Sequence, residues 1–265
     1  MQPLFDSHCH LDACAFNTDR DTVLSRAWEA GISDLLLPAT TMNSWPVISA
    51  LSQQHAPLHP AYGLHPMFMA EHQAAHLDAL EQYLQHPGKA VAIGECGLDF
   101  YIQREDAPQQ RHFFHIQLDI AQRCQLPVIV HARRALDEIL MALRNRPGLR
   151  GVVHSFSGSQ QQAWKLMDLG FYLGLGGPVT YPRAQRLRKI VADMPVEFLL
   201  LETDSPDQAD ADWRGHRNEP ARLVKISTEV ARLRGITQEQ LAQATYSNAR
   251  RLFLSGQQPA QAIDD

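Results

Sequence analysis

Eight short apolar segments recur along the chain at intervals of roughly 20–37 residues, and the sequence between several of them is typical of helices. The eight segments are Leu4–Phe5, Asp34–Pro38, Pro60–Gly63, Lys89–Gly94, Pro127–Val130, Gly151–Val153, Phe171–Leu175 and Glu197–Leu201. Short apolar runs between turn signals are typical of buried strands. Strands that alternate with helices predict βα units and a parallel sheet. Eight such units within 265 residues favour a closed (β/α)8 barrel over an open doubly wound sheet.

Four segments carry helical signals in their patterning and in the residues that end them. They are Thr22–Ala30, Ala107–Gln125, Ser159–Leu169 and Thr237–Leu254. The first and third end directly before a glycine, which is a common helix terminator. We find no linker, low-complexity tract or internal repeat, and therefore predict one domain over residues 1–265.

The composition excludes several classes of protein. The net charge of −5 provides no global basic field that would draw the chain onto nucleic acid or anionic lipid. The four cysteines form no C-x-x-C pair, so neither a disulfide framework nor a zinc ribbon is indicated. No charged segment followed by an apolar core opens the chain, and no apolar run approaches about 18 residues. We predict a cytoplasmic protein with no membrane partner and no obligate protein partner.

Polar side chains follow most of the predicted strands, at the end of the barrel where catalytic residues sit. His65 follows the third strand in GLHP. The first strand is expected to end in His8 and His10, and strand alternation predicts that Asp6, His8 and His10 project to the same side. The side chains expected to meet at the mouth are His8, His10, Glu95, His131, His154 and Asp204.

Imidazole nitrogens and carboxylate oxygens are the usual ligands of zinc and other divalent metals. An isolated H-x-H motif more often marks two ordinary surface histidines than a metal site. Six such groups at predicted strand ends reverse that expectation. Six ligands are too many for one tetrahedral ion, but they suit two ions that share a bridging carboxylate.

The motifs around these residues resemble those of TatD-type metal-dependent deoxyribonucleases, a branch of the amidohydrolase-like TIM barrels, and within them the YjjV-like subgroup. The matching stretches are DSHCHLD, YGLHP, AIGECGLDF, VIVHAR, VVHSFSG, GGPVTYP, LLLETDSP and RNEP, which run from residue 6 to residue 220. Cys96, Phe100, Ala132 and Ser155 stand where other residues are often expected in the family.

The resemblance implies that His8, His10 and Asp204 hold one divalent ion. It implies that His131 and His154 hold a second, and that Glu95 bridges both. The ions are expected to be zinc, magnesium or manganese. Two such ions and two carboxylates leave a surplus of positive charge, which suits an anionic phosphodiester. The implied activity is hydrolysis of DNA, exonucleolytic because strand-end loops without a long basic groove fit a strand end or a short single strand.

Further residues near the predicted mouth have two readings each. Asp204 is expected to act as general base as well as ligand. His65 is expected to contact the substrate phosphate, the alternative being a loop histidine fixed by Pro66. Arg133 is expected to reach the same phosphate. Glu202 and Asp99 either orient a histidine or serve as structural hydrogen-bond acceptors.

Three more groups complete the candidates. Cys9 and Cys96 adjoin predicted ligands, but strand alternation points them away from the site. Arg134 is expected to be solvated at a helix start. The other basic residues are either solvated or guide a phosphate; they are Arg183, Arg186, Arg188, Lys189, Arg214 and Arg217. The aromatic residues either stack on bases or pack; they are Tyr101, Phe156, Tyr181 and Trp213.

Two other functions remain open at this point. One is a dinuclear ester, amide or lactone hydrolase, including one that deacylates an aminoacyl ester. Many amidohydrolases bridge their metals with a carboxylated lysine after the fourth strand, whereas this chain has Glu95 there, which favours a phosphodiesterase. The other is a catalytically idle metal-binding scaffold.

Overall fold

The computed structural model describes residues 2–84, 90–101 and 106–255, which form a barrel of eight parallel strands with helices between them. The strands are β1 (Leu4–Asp6), β2 (Ile32–Pro38), β3 (Leu58–Tyr62), β4 (Ala92–Asp99), β5 (Val128–Arg133), β6 (Gly151–Val153), β7 (Phe171–Leu175) and β8 (Leu199–Leu201). Each strand pairs in parallel with the next strand along the chain. The predicted (β/α)8 barrel is confirmed.

Two strands extend beyond their predicted ends. β4 continues to Asp99 instead of ending at Gly94, and β5 continues to Arg133 instead of Val130. The added residues of the two strands pair with each other beyond a register shift in β4. Polar side chains interrupt the apolar pattern there, but backbone pairing does not require apolar side chains. The predicted fourth segment begins at Lys89, which lies outside the described residues.

Nine helices lie in the described part of the chain, and the four predicted ones match within two residues at each end. The helices are α1 (Arg20–Glu29), α2 (Trp45–Gln54), α3 (Ala75–Tyr83), α4 (Ala107–Cys124), α5 (Leu136–Arg144), α6 (Gln160–Asp168), α7 (Gln185–Asp193), α8 (Leu223–Arg234) and α9 (Gln238–Phe253). Ser159 and Thr237 cap the amino ends of α6 and α9 with reciprocal capping boxes. Within the described ranges, no helix combines the length and the apolar character needed to cross a membrane.

The barrel closes between β8 and β1 through backbone hydrogen bonds just past both strands. The Ser7 N–H donates to the Leu201 carbonyl at 2.9 Å, and the Asp204 N–H donates to the His8 carbonyl at 2.8 Å. We refer to residues 6–10 and 203–205 as the seam. The seam therefore holds the chain on either side of three predicted metal ligands at a fixed separation.

Asp6 belongs to the seam and does not face the predicted ligands. Since β1 ends at Asp6, strand alternation does not extend to His8 and His10, and the expectation that Asp6 shares their side is wrong. The Asp6 carboxylate instead accepts hydrogen bonds from the Thr203 hydroxyl at 2.6 Å and the Thr203 amide at 2.9 Å. Burial outweighs these bonds and raises the pKa of Asp6 to about 7.

Every strand contributes an apolar side chain to the interior of the barrel, in the half that faces α9. These residues are Phe5, Leu36, Ala61, Ala92, Ile129, Val152, Tyr172 and Leu200. Leu252 and Phe253 of α9 pack against them, and the rings of Phe253 and Phe5 lie 6.2 Å apart. Apolar packing and α9 thus fill one end of the barrel, which leaves the opposite end for polar side chains.

Candidate metal centre

The Glu95 carboxylate lies at the centre of the predicted ligands. Its Oε2 is 3.1 Å from His8 Nε2 and 3.4 Å from His10 Nε2. Its Oε1 is 2.7 Å from His154 Nε2 and 3.0 Å from His131 Nδ1. The two oxygens of one carboxylate therefore face two different pairs of histidines.

Asp204 completes the six predicted positions. Its Oδ1 is 3.5 Å from the Nε2 atoms of both His8 and His10. The residue follows β8 with a φ of 55°, in the left-handed region that non-glycine residues seldom adopt. Arg134 and Ser155, which also follow strands at this end, share that conformation. Unusual backbone conformations of this kind are concentrated at functional sites.

The local placement of four predicted ligands differs from the expectation, although the side chains converge. His8 and His10 lie beyond β1, and their Nε2 atoms approach within 3.2 Å. Glu95 and His131 lie inside β4 and β5, not after them, because these two strands pair further than their apolar runs. Convergence thus depends on the barrel and not on the bounds of each strand.

Two outer carboxylates lie behind the second histidine pair. Asp99 Oδ2 accepts from His131 Nε2 at 2.9 Å, which leaves Nδ1 of the same ring directed at Glu95. Glu202 Oε1 accepts the Ser155 N–H at 2.5 Å and lies 3.7 Å from His154 Nδ1. A carboxylate that receives the outer N–H of a metal-binding imidazole fixes its tautomer and orientation. The geometry fits that role for Asp99, while Glu202 lies beyond hydrogen-bond distance of His154.

Gly174 in β7 makes room for Glu202 beneath the site. A Cβ at position 174 would lie 2.1 Å from Glu202 Oε2 and 3.0 Å from the His154 Cα. Real Cβ atoms do not approach other heavy atoms so closely. The absence of a side chain at this position is therefore required for Glu202 to reach the back of the histidine cluster.

His65 contacts Glu95 in this structure. Its Nδ1 accepts the Met67 N–H at 3.1 Å, so Nε2 carries the hydrogen and donates to Glu95 Oε1 at 2.9 Å. Burial lowers the pKa of His65 to about 4, against the opposing effect of the Glu95 charge. The neutral ring has one N–H, and a phosphate contact would require that Glu95 release it.

The electrostatics of the cluster are dominated by buried charge. Burial alone would raise the pKa of Glu95, but the imidazoles of His154, His65 and His8 hold it well below its ordinary value. Burial opposes the charged form of His10, yet its hydrogen bond to Glu95 and the Glu95 charge raise its pKa to about 9. Burial raises the pKa of Asp204 to about 6. Protonated imidazoles thus balance the Glu95 charge in this structure, and a metal cation would take over that role.

The donor set fits divalent metal ions. His8, His10 and Glu95 present ligand atoms within 4.8 Å of one another, and so do His65, Glu95 and His131. Imidazole nitrogens that face each other and a shared carboxylate cannot all be satisfied by hydrogen bonds among themselves. Nitrogen and oxygen donors at this spacing are suited to zinc and related ions.

A cavity of about 670 Å³ lies over this cluster, within the range usual for ligand sites. Met67, Phe68 and Phe156 supply apolar wall, and Arg133 supplies a positive charge. The Arg133 guanidinium lies 3.7 Å from the centroid of the Tyr101 ring, which is 49% exposed. The structure therefore brings the predicted substrate contact Arg133 to the cavity wall, whereas Phe156, predicted either to stack on a base or to pack, is 2% exposed and packs in the core.

The other predicted basic residues divide into paired and unpaired ones. Arg188, Lys189 and Arg217 form ion pairs with Glu229, Asp193 and Asp19, so these three are structural or surface pairs. Arg186 donates to the Ser157 carbonyl at 2.9 Å. Arg134 lies 4.5 Å from the Tyr101 ring centroid, and Arg183 lies 5.4 Å from that of Tyr181.

The two buried cysteines pack as predicted. Cys9 Sγ lies 3.2 Å from the Ser205 hydroxyl, and Cys96 Sγ donates to the Ile129 carbonyl at 3.7 Å. Burial raises the pKa of the Cys96 thiol above its ordinary value. Neither thiol contacts the predicted ligands.

Sequence reasoning missed Gln208. Its Nε2 donates to Asp204 Oδ2, and its Oε1 accepts the Ser155 hydroxyl at 2.8 Å. Its backbone also has a positive φ, of 49°. The position of Gln208 four residues after Asp204 was the only signal, and glutamine is too common on surfaces for that signal to be specific.

Comparisons with known proteins agree with this geometry. The family model described as TatD related DNase matches residues 5–254. The uncharacterized metal-dependent hydrolase YjjV of Escherichia coli (strain K12) is 39% identical over 250 residues, which cover 94% of this chain and 96% of YjjV. The 3'-5' ssDNA/RNA exonuclease TatD of Citrobacter koseri is 35% identical over 259 residues, which cover 94% and 98% of the two chains.

Comparisons with solved structures agree with the sequence comparisons. The crystal structure of YjjV from Escherichia coli K12 matches with a TM-score of 0.91 and 38% identity, over 94% of this chain and 97% of that one. A phosphotriesterase homology protein from Escherichia coli, with phosphate in its active site, matches with a TM-score of 0.65 and 13% identity over 95% and 99% of the chains, a likeness of fold alone. The resemblance seen in the sequence motifs is confirmed, and the chain belongs to the TatD-related DNase family of metal-dependent hydrolases.

Proposed function

We propose that the chain is a dinuclear metal-dependent phosphodiesterase that removes nucleotides from the ends of single-stranded DNA. The observation that carries the proposal is the division of the Glu95 carboxylate between two histidine pairs. His8 and His10 lie on its Oε2 side, and His131 and His154 lie on its Oε1 side. A carboxylate placed in this way suits a bridge between two ions.

In this proposal, His8, His10 and Asp204 hold one ion, His131 and His154 hold the other, and Glu95 contacts both. The ions, which we expect to be zinc, manganese or magnesium, would supply an activated water and stabilise charge on the leaving oxygen. Neutral imidazoles bring no negative charge, so Glu95 and Asp204 leave the loaded centre cationic. An anionic phosphodiester suits such a centre better than a neutral amide or lactone.

The chain's own residues have distinct roles in the proposed reaction. Asp204 would accept the proton of the attacking water, because its carboxylate lies at the edge of the centre, with Oδ1 3.5 Å from the Nε2 atoms of His8 and His10. Asp99 fixes the ring of His131 through its outer nitrogen. Arg133 contacts the substrate phosphate from the cavity wall. When Glu95 is engaged with metal, the His65 N–H is free to donate to that phosphate.

A single-stranded substrate is supported by the Citrobacter koseri relative, whose name describes it as a 3'-5' ssDNA/RNA exonuclease. The cytoplasm is the proposed location, since the four cysteines are unpaired and two are buried, as expected of reduced thiols. We also propose that residues 1–265 form one domain, because α9 packs into the same interior as all eight strands.

The proposal is tested by Glu95→Gln. The substitution removes one negative charge and one bridging oxygen with little change of shape, so we expect metal content to fall from two ions per chain to one or none. Cleavage of single-stranded DNA should be lost as well. Metal is measured by mass spectrometry after loading, and cleavage is measured with strands labelled at either end.

Glu81→Gln is the matched control, because its carboxylate forms an exposed pair with Arg123 and lies outside the centre. The control should keep both metal and activity. Retention of two ions and full activity by Glu95→Gln would contradict the bridging role. Hydrolysis of esters, amides or lactones by wild-type protein that cleaves no DNA would instead establish the amidohydrolase function. A loaded protein with no activity on any of these substrates would be a binding scaffold.

A further inference from the structure

A second cavity, of about 440 Å³, opens beside the central one next to the loops that follow β7 and β8. We call it the side cavity, and its distinctive lining residues are Tyr181, Arg183 and His216. It shares Pro178, Pro206, Asp207 and Gln208 with the central cavity. The four shared residues lie between the two spaces and border both, so the cavities are adjacent. A strand that leaves the central cavity across these residues would enter the side cavity.

Arg183 gives the side cavity a positive charge without a protein partner. Nearby Arg222 is paired with Asp210. Arg183 forms no ion pair within residues 2–84, 90–101 and 106–255, and its guanidinium contacts the Tyr181 ring, 5.4 Å from the centroid. The Tyr181 hydroxyl donates to the Ala209 carbonyl at 3.0 Å, which fixes the ring beside Arg183. An unpaired guanidinium on a fixed ring is suited to an anionic group such as phosphate.

Two rings give the side cavity a surface for stacking. One is Tyr181. The other is His216, whose ring lies 4.9 Å from that of Trp213 with an angle of 36° between the planes. The Trp213 indole is itself held by a hydrogen bond of 2.9 Å from Nε1 to the Arg217 carbonyl. Fixed rings of this kind bind nucleobases with little preference for sequence.

The charges along the two cavities are arranged in order. Asp207 lines both cavities, whereas Arg183 lines only the side cavity. A phosphate beside Asp207 would be repelled, so the sugar or base of a strand must pass that point. The next phosphate along the strand would then reach Arg183. This order matches the alternation of phosphate and nucleoside in a single strand.

We propose that the side cavity binds the penultimate nucleotide of a single-stranded substrate, with Arg183 on its outer phosphate and Tyr181 and His216 on its base. The inference rests on the proposed function, since it places the terminal nucleotide over the candidate metal centre. It identifies the preferred substrate as a strand of at least three nucleotides, in preference to a mononucleotide ester.

The test compares two substrates of the metal-loaded protein. A six-residue single strand offers Arg183 a second phosphate, whereas thymidine 5'-(p-nitrophenyl phosphate) has only the phosphate placed over the candidate metal centre. Arg183→Gln should raise KM severalfold for the strand and leave KM for the small ester unchanged. The slope of log KM against log salt concentration for the strand should fall by about 0.7, the value for one phosphate contact with a single strand. The matched control is Arg150→Gln, an exposed arginine just before β6, at the opposite end of the barrel, which should change neither quantity.

A second variant tests the stacking contact separately. His216→Ala should raise KM for the strand without changing the salt slope, because stacking does not displace counterions. The difference between His216→Ala and wild type should vanish for a strand whose penultimate nucleotide lacks its base. Equal KM values and slopes for Arg183→Gln, Arg150→Gln and wild type would overturn the inference while leaving the proposed function intact. Wild-type protein that cleaves neither substrate would overturn both.

Discussion

At the scale of single residues, the site depends on carboxylates whose two oxygens have different partners. Glu95 divides its oxygens between two histidine pairs. Asp204 directs Oδ1 at His8 and His10, while its Oδ2 accepts from the Gln208 amide. Holding one oxygen by a hydrogen bond restricts rotation of the carboxylate and keeps the other oxygen available for metal. Gln208 is in turn held by the Ser155 hydroxyl.

The substitution Gln208→Met tests this arrangement. Methionine has a similar volume but neither donates nor accepts as the amide does, so the Asp204 carboxylate becomes free to rotate. Affinity for the ion on the His8 side should fall by about 10- to 100-fold, as for other residues that support metal ligands. Metal affinity is measured by titration with a competing chelator, and thermal unfolding of metal-free protein should change little.

A suitable control is Gln122→Met, since the Gln122 amide also donates a hydrogen bond, in this case to the Pro147 carbonyl on an exposed surface. The control should bind metal as wild type does. An unchanged metal affinity in Gln208→Met would show that Asp204 needs no support from the amide.

At the scale of secondary-structure elements, the seam joins the two chain segments that carry His8, His10 and Asp204. Asp6 and Thr203 are buried there and form two hydrogen bonds with each other. A buried carboxylate that loses a donor is costly, since the remaining oxygen is removed from water without compensation. The seam therefore stabilises the barrel and positions half of the predicted ligands through the same contact.

Thr203→Val should separate the contribution of the hydrogen bond to Asp6 from that of packing, because valine lacks the hydroxyl but has nearly the shape of threonine. We expect the free energy of unfolding of the metal-free protein to fall by about 1–3 kcal/mol. Affinity for metal should fall as well. Urea denaturation and metal titration measure the two quantities.

Thr245→Val is the matched control, since this buried hydroxyl donates to the Leu241 carbonyl of its own helix. Its loss leaves no buried charge without a donor, so the cost should be smaller and metal affinity should not change. Equal effects of the two substitutions would show that the Asp6 contact has no special role.

The difference between what sequence could and could not predict follows from these two scales. The convergence of six side chains was predictable because candidate metal ligands are few residue types and a barrel brings strand ends together; they are His8, His10, Glu95, His131, His154 and Asp204. The predicted ends of β4 and β5 were wrong, because polar residues interrupt the apolar pattern while the two backbones continue to pair. Gln208 is close to Asp204 in the chain, but glutamine is too common on surfaces to mark a site. Asp6 and Thr203 are common residue types 197 positions apart, and no local pattern marks such a pair.

At the scale of the whole molecule, the two ends of the barrel have separate roles. One end is filled by apolar side chains and by Leu252 and Phe253 of α9. The other holds the histidine cluster and both cavities. In enzymes with this fold, residues at the amino ends of the strands generally contribute to stability, and catalytic residues lie at the carboxyl ends.

Phe253→Ala should therefore reduce stability without affecting metal binding. Phe253 is 4% exposed and packs on the ring of Phe5, so its truncation should cost about 3–5 kcal/mol. Urea denaturation measures this loss. Under conditions where the variant is folded, its metal affinity should equal that of wild type, and Phe253→Leu should recover most of the stability. A parallel loss of metal affinity would mean that the two ends are coupled.

The two halves of the seam are synthesised at different times. Asp6 and Thr203 are 197 positions apart, so the amino-terminal half of the seam leaves the ribosome long before its partner is synthesised. During that interval His8 and His10 have neither the Asp204 carboxylate nor a closed barrel to hold them. A nascent chain that ends before β8 lacks the hydrogen bonds that close the barrel, and metal can be retained in the full donor set only after translation has passed residue 204.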